Sequence, residues 1–165
     1  MEIVEHRAGE EVIGHVQIVV RLDQDDEGWP PVDSERLWAV SLEPGIVRVD
    51  NIPWFAQNLA TEDLVRVLRD HDGVLCMVEK LHWSGNCTIR VILLGIGKSA
   101  AQIRAILDQF AELGINGEGF SQYSVVALNI PSGSDFSMIK GVLDHGEVEG
   151  RWTYEEACVG GAWPS

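Results

Sequence analysis

Thr88-Ile89-Arg90-Val91-Ile92-Leu93-Leu94-Gly95-Ile96-Gly97-Lys98-Ser99-Ala100-Ala101-Gln102 is where the pattern of the chain changes. Thr88 to Leu94 is β-branched and aliphatic, the composition of a strand. Gly95 and Gly97 interrupt it. Ser99 then places a hydroxyl three residues ahead of the Gln102 amide, the spacing of a capping box. Ile103, Ile106, Leu107, Phe110 and Leu113 follow at helical spacing, which predicts a helix over Ser99–Leu113. Gly114 supplies its stop. The run Gly95-Ile96-Gly97-Lys98-Ser99 lacks the G-x-x-x-x-G-K-[ST] spacing, so it is not read as a phosphate loop.

Toward the C-terminus, Glu118–Phe120 reads as a short strand and Tyr123–Ile130 as a longer one. Pro131-Ser132-Gly133 breaks the pattern. Ser134 or Asp135 caps a second helix over Asp135–His145, with Phe136, Ile139, Val142 and Leu143 inward and Gly146 at its end. Arg151–Val159 is the last strand. Residues 88–159 therefore run strand, helix, strand, strand, helix, strand, the order of a ferredoxin-like split βαβ arrangement.

Toward the N-terminus the chain is β-rich. Glu11–Leu22 reads as a strand, and its run Ile18-Val19-Val20 suggests cover on both faces. Asp23–Asp33 is a loop, with four acids in Asp23–Glu27 and then Gly28-Trp29-Pro30-Pro31. Trp29 is read as a lid on the core. Leu37–Leu42 and Ile46–Val49 flank Glu43-Pro44-Gly45-Ile46, which carries the type II turn signature. Leu64–Leu68 and Val74–Leu81 flank Asp70-His71-Asp72-Gly73, a hairpin signal. His82-Trp83-Ser84-Gly85-Asn86 is a further turn. The fold expected is α+β. A small β-rich bent sheet or barrel-like half over residues 1–94 carries the acidic N-terminal loop. A ferredoxin-like βαββαβ half over 88–165 follows, the two sharing Thr88–Leu94 and forming separate domains or one continuous unit.

Asp50-Asn51-Ile52-Pro53-Trp54-Phe55-Ala56 is neither strand nor helix by pattern. Pro53 biases Ile52 to extended geometry and removes a ladder donor. Trp54 and Phe55 are too large to leave in water without a reason. Should this stretch meet the Ser84–Arg90 turn, then Asp50, Asn51, Ser84, Asn86 and Arg90 form a polar spot rimmed by Trp54, Phe55 and Trp83. Aromatics around a few convergent polar groups describe a pocket. The candidate binding residues are thus Asp50, Asn51, Trp54, Trp83, Ser84 and Arg90. The plainer alternative is that Asp50 and Asn51 bond amides of their own turn, Arg90 pairs with an acid, and the aromatics are core.

The totals bound the function. The chain has 165 residues, 45% of them hydrophobic, and a mean hydropathy of +0.02, which fits a folded chain with a real core. No apolar run approaches the ~20 residues of a membrane span. The acidic start Met1-Glu2-Ile3-Val4-Glu5 has no signal-peptide pattern. Three scattered cysteines do not make a disulfide framework, so a reduced, cytoplasmic location is expected. Cys76 and Cys158 fall in strand patterns and read as buried hydrophobes. Cys87 at a turn beside His82 is a candidate nucleophile without an orienting third group. His71, Cys76, His82 and Cys87 lack the paired spacing zinc wants, so no metal or other cofactor is expected.

Net charge is −14, distributed as −8 over residues 1–35, +1 over 36–104 and −7 over 105–165. An acidic surface repels phosphate backbones, which disfavours direct nucleic-acid binding. It suits a basic protein partner.

Several segments resemble a known family. They are Trp29-Pro30-Pro31-Val32-Asp33-Ser34, Leu37-Trp38-Ala39, Asp50-Asn51-Ile52-Pro53-Trp54-Phe55-Ala56, Ser84-Gly85-Asn86-Cys87-Thr88-Ile89-Arg90 and Tyr154-Glu155-Glu156-Ala157-Cys158. Together they look like the bacterial domain-of-unknown-function family 4265, over roughly Val16–Cys158. The Asp-Asn-Ile-Pro-aromatic-Phe-Ala block is the specific part. The first aromatic there is often Phe in that family and is Trp54 here. A His commonly stands near the position of Asn86. The resemblance implies a small bacterial cytoplasmic protein and carries no activity with it.

Two function classes follow. One is a non-enzymatic, acidic protein-binding module, immunity or antitoxin-like, toward which the residues lean. The other is a small-molecule-binding regulator or small enzyme with a pocket near Asp50, His82 and Arg90.

Overall fold

The computed structural model describes residues 14–95 and 100–165. The beginning of the expected Glu11–Leu22 strand, the Ile96–Ser99 run and the capping box at Ser99 lie outside the described residues. The chain divides into two compact units, one ending at Ser84 and the other beginning at Gly85.

The first unit is a closed five-stranded barrel of β1 (His15–Arg21), β2 (Ser34–Glu43), β3 (Ile46–Val49), β4 (Leu64–Arg69) and β5 (Leu75–His82). Consecutive strands pair antiparallel. With an odd number of alternating strands, the first and last run the same way, so the barrel closes through a parallel pairing at Val19 and Cys76. Closure demands bending, and bulges supply it between Ser41 and Glu43 and twice along β4–β5. Gly45 takes φ +80° at the third position of the turn between β2 and β3, the conformation a type II turn requires there. Strand alternation sends Ile18, Val20, Leu37, Ala39, Val47, Val49, Val65 and Val67 inward, where Ala56 and Leu59 join them from the loop after β3. Val19, between Ile18 and Val20, is only half-buried, so β1 alternates rather than being covered on both faces.

The second unit runs β6 (Cys87–Leu93), α1 (Ala100–Ala111), β7 (Asn116–Phe120), a single 3₁₀ turn at Ser121–Tyr123, β8 (Val125–Ile130), α2 (Phe136–Val148) and β9 (Trp152–Cys158). Its sheet has the order β7-β8-β6-β9, antiparallel throughout. Trp152, fully buried, ties both helices to the sheet. Its ring lies 6.2 Å from that of Phe110 on α1, and its Nε1 donates to the Leu143 carbonyl of α2 at 2.9 Å.

Three expectations need correction. Gly146 does not end α2. It lies inside the helix, buried against the indole of Trp152, where a Cβ would come within 2.1 Å of the ring. The helix stops instead beside Gly150, at φ +73°. Leu113 lies past the end of α1 and is exposed. Cys76 is half-buried rather than buried, since it sits on the outer side of the hairpin across from Leu68. Asp135 is the cap of α2, its Oδ1 accepting from Met138 N at 3.1 Å.

Candidate functional site

The stretch Asp50–Ala56 begins a 14-residue excursion, Asp50 to Asp63, between β3 and β4, and its Ala56 and Leu59 pack into the barrel core. Two buried carboxylates hold it. Glu35 is 8% exposed. Its Oε1 accepts from Trp54 N at 2.8 Å, and its Oε2 accepts from Phe55 N and Ala56 N, both at 2.7 Å. Three successive backbone donors turned toward one anion form a nest, and the bonds are charge-assisted. Asp63 is fully buried. It accepts from Ala60 N at 2.9 Å and from Ser84 N at 2.8 Å, with the Lys80 ammonium at 3.6 Å. Lys80 also donates to Asn58 Oδ1. Asn58 and Glu62 take φ +55° and +73°, a left-handed conformation tolerated because their surroundings fix it. Ile52, Phe55 and Ala56 are buried, and the Phe55 ring meets Trp29 edge-on at 5.7 Å.

Within this unit each residue expected at a site has a defined place. Asp50 is exposed and its Oδ2 pairs with His15 Nε2 at 2.8 Å, beside the Trp38 indole. Asn51 Oδ1 accepts from Trp38 N at 2.6 Å. Ser84 donates its hydroxyl to the Thr61 carbonyl at 2.8 Å. Trp54 and Trp83 are half-buried, and His82 is exposed at the end of β5. Arg90 belongs to the second unit, in the middle of β6. It is 3% exposed, and its Nε and Nη2 both donate to Glu155 Oε1, at 2.9 and 2.6 Å. Asn86, also there, accepts from Ser132 N at 2.9 Å. Glu35, Asp63 and Lys80 were not singled out by sequence. Glu35 does share the strand phase of Leu37 and Ala39, and Asp63 that of Val65 and Val67, so period-2 counting would have turned both inward.

A second polar cluster lies between α2 and β9. Lys140 and Asp144, one turn apart, flank the Tyr154 hydroxyl. Lys140 Nζ donates to it at 2.9 Å, and the hydroxyl donates to Asp144. Burial first, and then the bond to Asp144, push Tyr154 above the ordinary phenol range. The same hydroxyl, accepting from Lys140, is the main cause that pushes the ammonium up. A phenol harder to ionise than usual is a structural hydrogen-bond donor rather than a base.

Cys87 is the first residue of β6, 1% exposed, and not on a turn as expected. Burial pushes its thiol up, which starves it of the thiolate a nucleophile needs. Alkylation of the native protein at pH 8 should therefore modify half-buried Cys76 first. Peptide mapping that found Cys87 modified ahead of Cys76 would contradict the burial of Cys87.

A crystal structure titled "Novel crystal structure of a hypothetical protein from Neisseria gonorrhoeae" is similar, with a TM-score of 0.69 and 27% identity, over 87% of this chain and 94% of that one. No curated protein matches the chain. The family whose description reads "Domain of unknown function (DUF4265)" matches residues 35–154. That span starts at Glu35, after the Trp29–Ser34 segment, and ends at Tyr154, before Glu155-Glu156-Ala157-Cys158. It includes the whole Asp50–Ala56 block and its Glu35 anchor, and the chain belongs to this family of unknown function.

Proposed function

We propose that this protein is a non-enzymatic, acidic protein-binding module of the bacterial cytoplasm that engages a basic partner, in the manner of an immunity or antitoxin protein. The observation that carries the reading is the loop between β1 and β2. Asp23, Asp25, Asp26 and Glu27 are all exposed, and none has an ion pair among the described residues. The loop is nevertheless fixed. Asp25 Oδ1 accepts from Glu27 N and Trp29 N, both at 2.9 Å, and Asp25 N donates to the Trp29 carbonyl at 2.7 Å. Trp29 in turn rests on Phe55. A preordered acidic loop loses little entropy on docking, and its field accelerates encounter with a basic surface.

The second unit is read as ferredoxin-like, which its βαββαβ order and the strand order β7-β8-β6-β9 support. The pocket alternative near Asp50, His82 and Arg90 has weaker support. His15 engages Asp50 and Glu155 engages Arg90, so both charges already have partners.

The test spares Asp25, which builds the turn. A variant carrying Asp23→Asn, Asp26→Asn and Glu27→Gln keeps the loop and removes three charges. Affinity capture from the native host, followed by kinetics with the purified captured protein, should show a basic protein whose association slows about tenfold or more with the variant, as steering losses do. Equal association by both forms at low salt would discard the reading.

A further inference from the structure

We propose that the flank of α1 and the edge of β7 opposite β8 form a docking groove for an extended segment of another protein, which adds to the sheet as a fifth strand with a carboxylate on Arg104. The groove holds about 300 Å³ between Ala100, Ile103, Arg104 and Leu107 of α1 and Gly119 and Ser121 at the end of β7. β7 pairs with β8 on one side only among the described residues. Gly119 has no side chain, so its exposure is exposure of backbone. An open strand edge with exposed backbone is a template for main-chain pairing.

The glycines shape the place. Gly117 and Gly119 face α1, where a Cβ would meet Leu107 at 3.0 Å and Ile103 at 2.2 Å respectively. The helix therefore sits low over β7. A strand laid beside β7 would bring alternate side chains against the outer flank of Ile103 and Leu107. Arg104 stands on that flank, exposed, with no hydrogen bond or ion pair among the described residues. A guanidinium that no described residue pairs with, beside an apolar floor, is complementary to a carboxylate. On the opposite face of β7 Asn116 and Glu118 are exposed, and the Glu118 carboxylate would meet a basic residue of the added strand.

Charge selects the occupant. A second copy paired through β7 would set Glu118 against Glu118, between chains that each carry −14. A short segment alternating apolar and basic residues meets no such repulsion. The carboxylate can come from a chain end or from an acidic side chain. The groove is in the second unit and the acidic β1–β2 loop in the first, so the proposal does not rest on that loop.

The experiment is a titration of the ¹⁵N-labelled full chain, followed by NMR, with the synthetic peptide acetyl-Lys-Val-Lys-Val-Lys-Val carrying a free C-terminus. Its C-terminal amide, an amide ending in Glu, and a version N-methylated at alternate residues are run beside it. The free acid should shift the amides of Gly117, Gly119 and Phe120. N-methylation should abolish these shifts. Affinity should fall about tenfold in the amide, and by as much for the free acid against Arg104→Gln, as loss of a charge-assisted bond does. Rescue by the Glu-terminated amide assigns the carboxylate to a side chain, and failure of rescue assigns it to a chain end; either supports the groove. Glu118→Lys should weaken the Lys peptide without altering the fold. No shift up to millimolar peptide, shifts away from β7, indifference to N-methylation or to Arg104→Gln, or peptide-free self-association through β7 would each overturn it.

Discussion

Glu35→Ala should destabilise the barrel by about 3–5 kcal/mol, a large part of the ~5–15 kcal/mol that holds a domain folded. The side chain does not merely fill space. Its two oxygens take three consecutive N–H groups, of Trp54, Phe55 and Ala56. Each unsatisfied buried donor costs about 1–3 kcal/mol, and water entering the vacated volume recovers part of the total. Glu35→Gln separates charge from shape. Its amide oxygen can take the place of Oε2 and serve Phe55 and Ala56, while its NH₂ then faces the Trp54 donor. It should lose about 2 kcal/mol, less than alanine does. Urea melts followed by tryptophan fluorescence give both numbers. An alanine variant within ~0.5 kcal/mol of the parent, the range of neutral surface changes, would show that the loop does not depend on this anchor. The consequence extends to binding. Phe55 carries Trp29, and Trp29 carries the turn that orders the acidic residues. If the proposed acidic docking loop is right, losing Glu35 should therefore slow association with the basic partner even where the barrel survives.

Much of this architecture was legible, and the physics explains which parts. Turns announced themselves through glycines, as Gly45 and Gly73 did, both now at positive φ. The helices announced themselves through spacing, with Ile103, Ile106 and Phe110 buried as their period requires. The Asp50–Ala56 stretch was recognisable as a packed turn because proline and two aromatics cannot stand in a strand or in water. Its anchor was not recognised, because the expected strand began at Leu37 and left Glu35 outside it, whereas β2 begins at Ser34. Within that longer strand Glu35 alternates with Leu37 and Ala39 on the inner side of β2. The polar set around Asp50 and Arg90 could not be judged from spacing, since partners such as His15 and Glu155 are 35 and 65 residues away. Gly146 was misread for a related reason. A glycine near the end of a helical pattern looks like a stop, and only the tertiary neighbour reveals that it is a contact.

That contact yields the second large effect. Gly146→Ala should destabilise the second unit by about 2 kcal/mol or more, against the local preference of the helix. Alanine gains about 1 kcal/mol over glycine in a helix interior. The added Cβ would lie 2.1, 2.2 and 2.6 Å from three atoms of the Trp152 ring. Overpacking of a tight core costs about 1–3 kcal/mol and more where nothing can yield. Here little can yield. The indole is fully buried, bonded to the Leu143 carbonyl, and bounded by Phe110. Either α2 lifts from β9 or the ring leaves its place and strands its N–H. Gly141 supplies the control. It lies on the same helix, is exposed, and a Cβ there would meet nothing within 4 Å. Gly141→Ala should therefore stabilise by about 0.5–1 kcal/mol, the propensity gain alone. The two variants differ by one methyl group each, placed five residues apart, and should move the melting temperature in opposite directions. Calorimetry of both decides the matter. If Gly146→Ala stabilised as Gly141→Ala does, the close approach of α2 to Trp152 would be wrong, and with it the packing that joins both helices to the sheet.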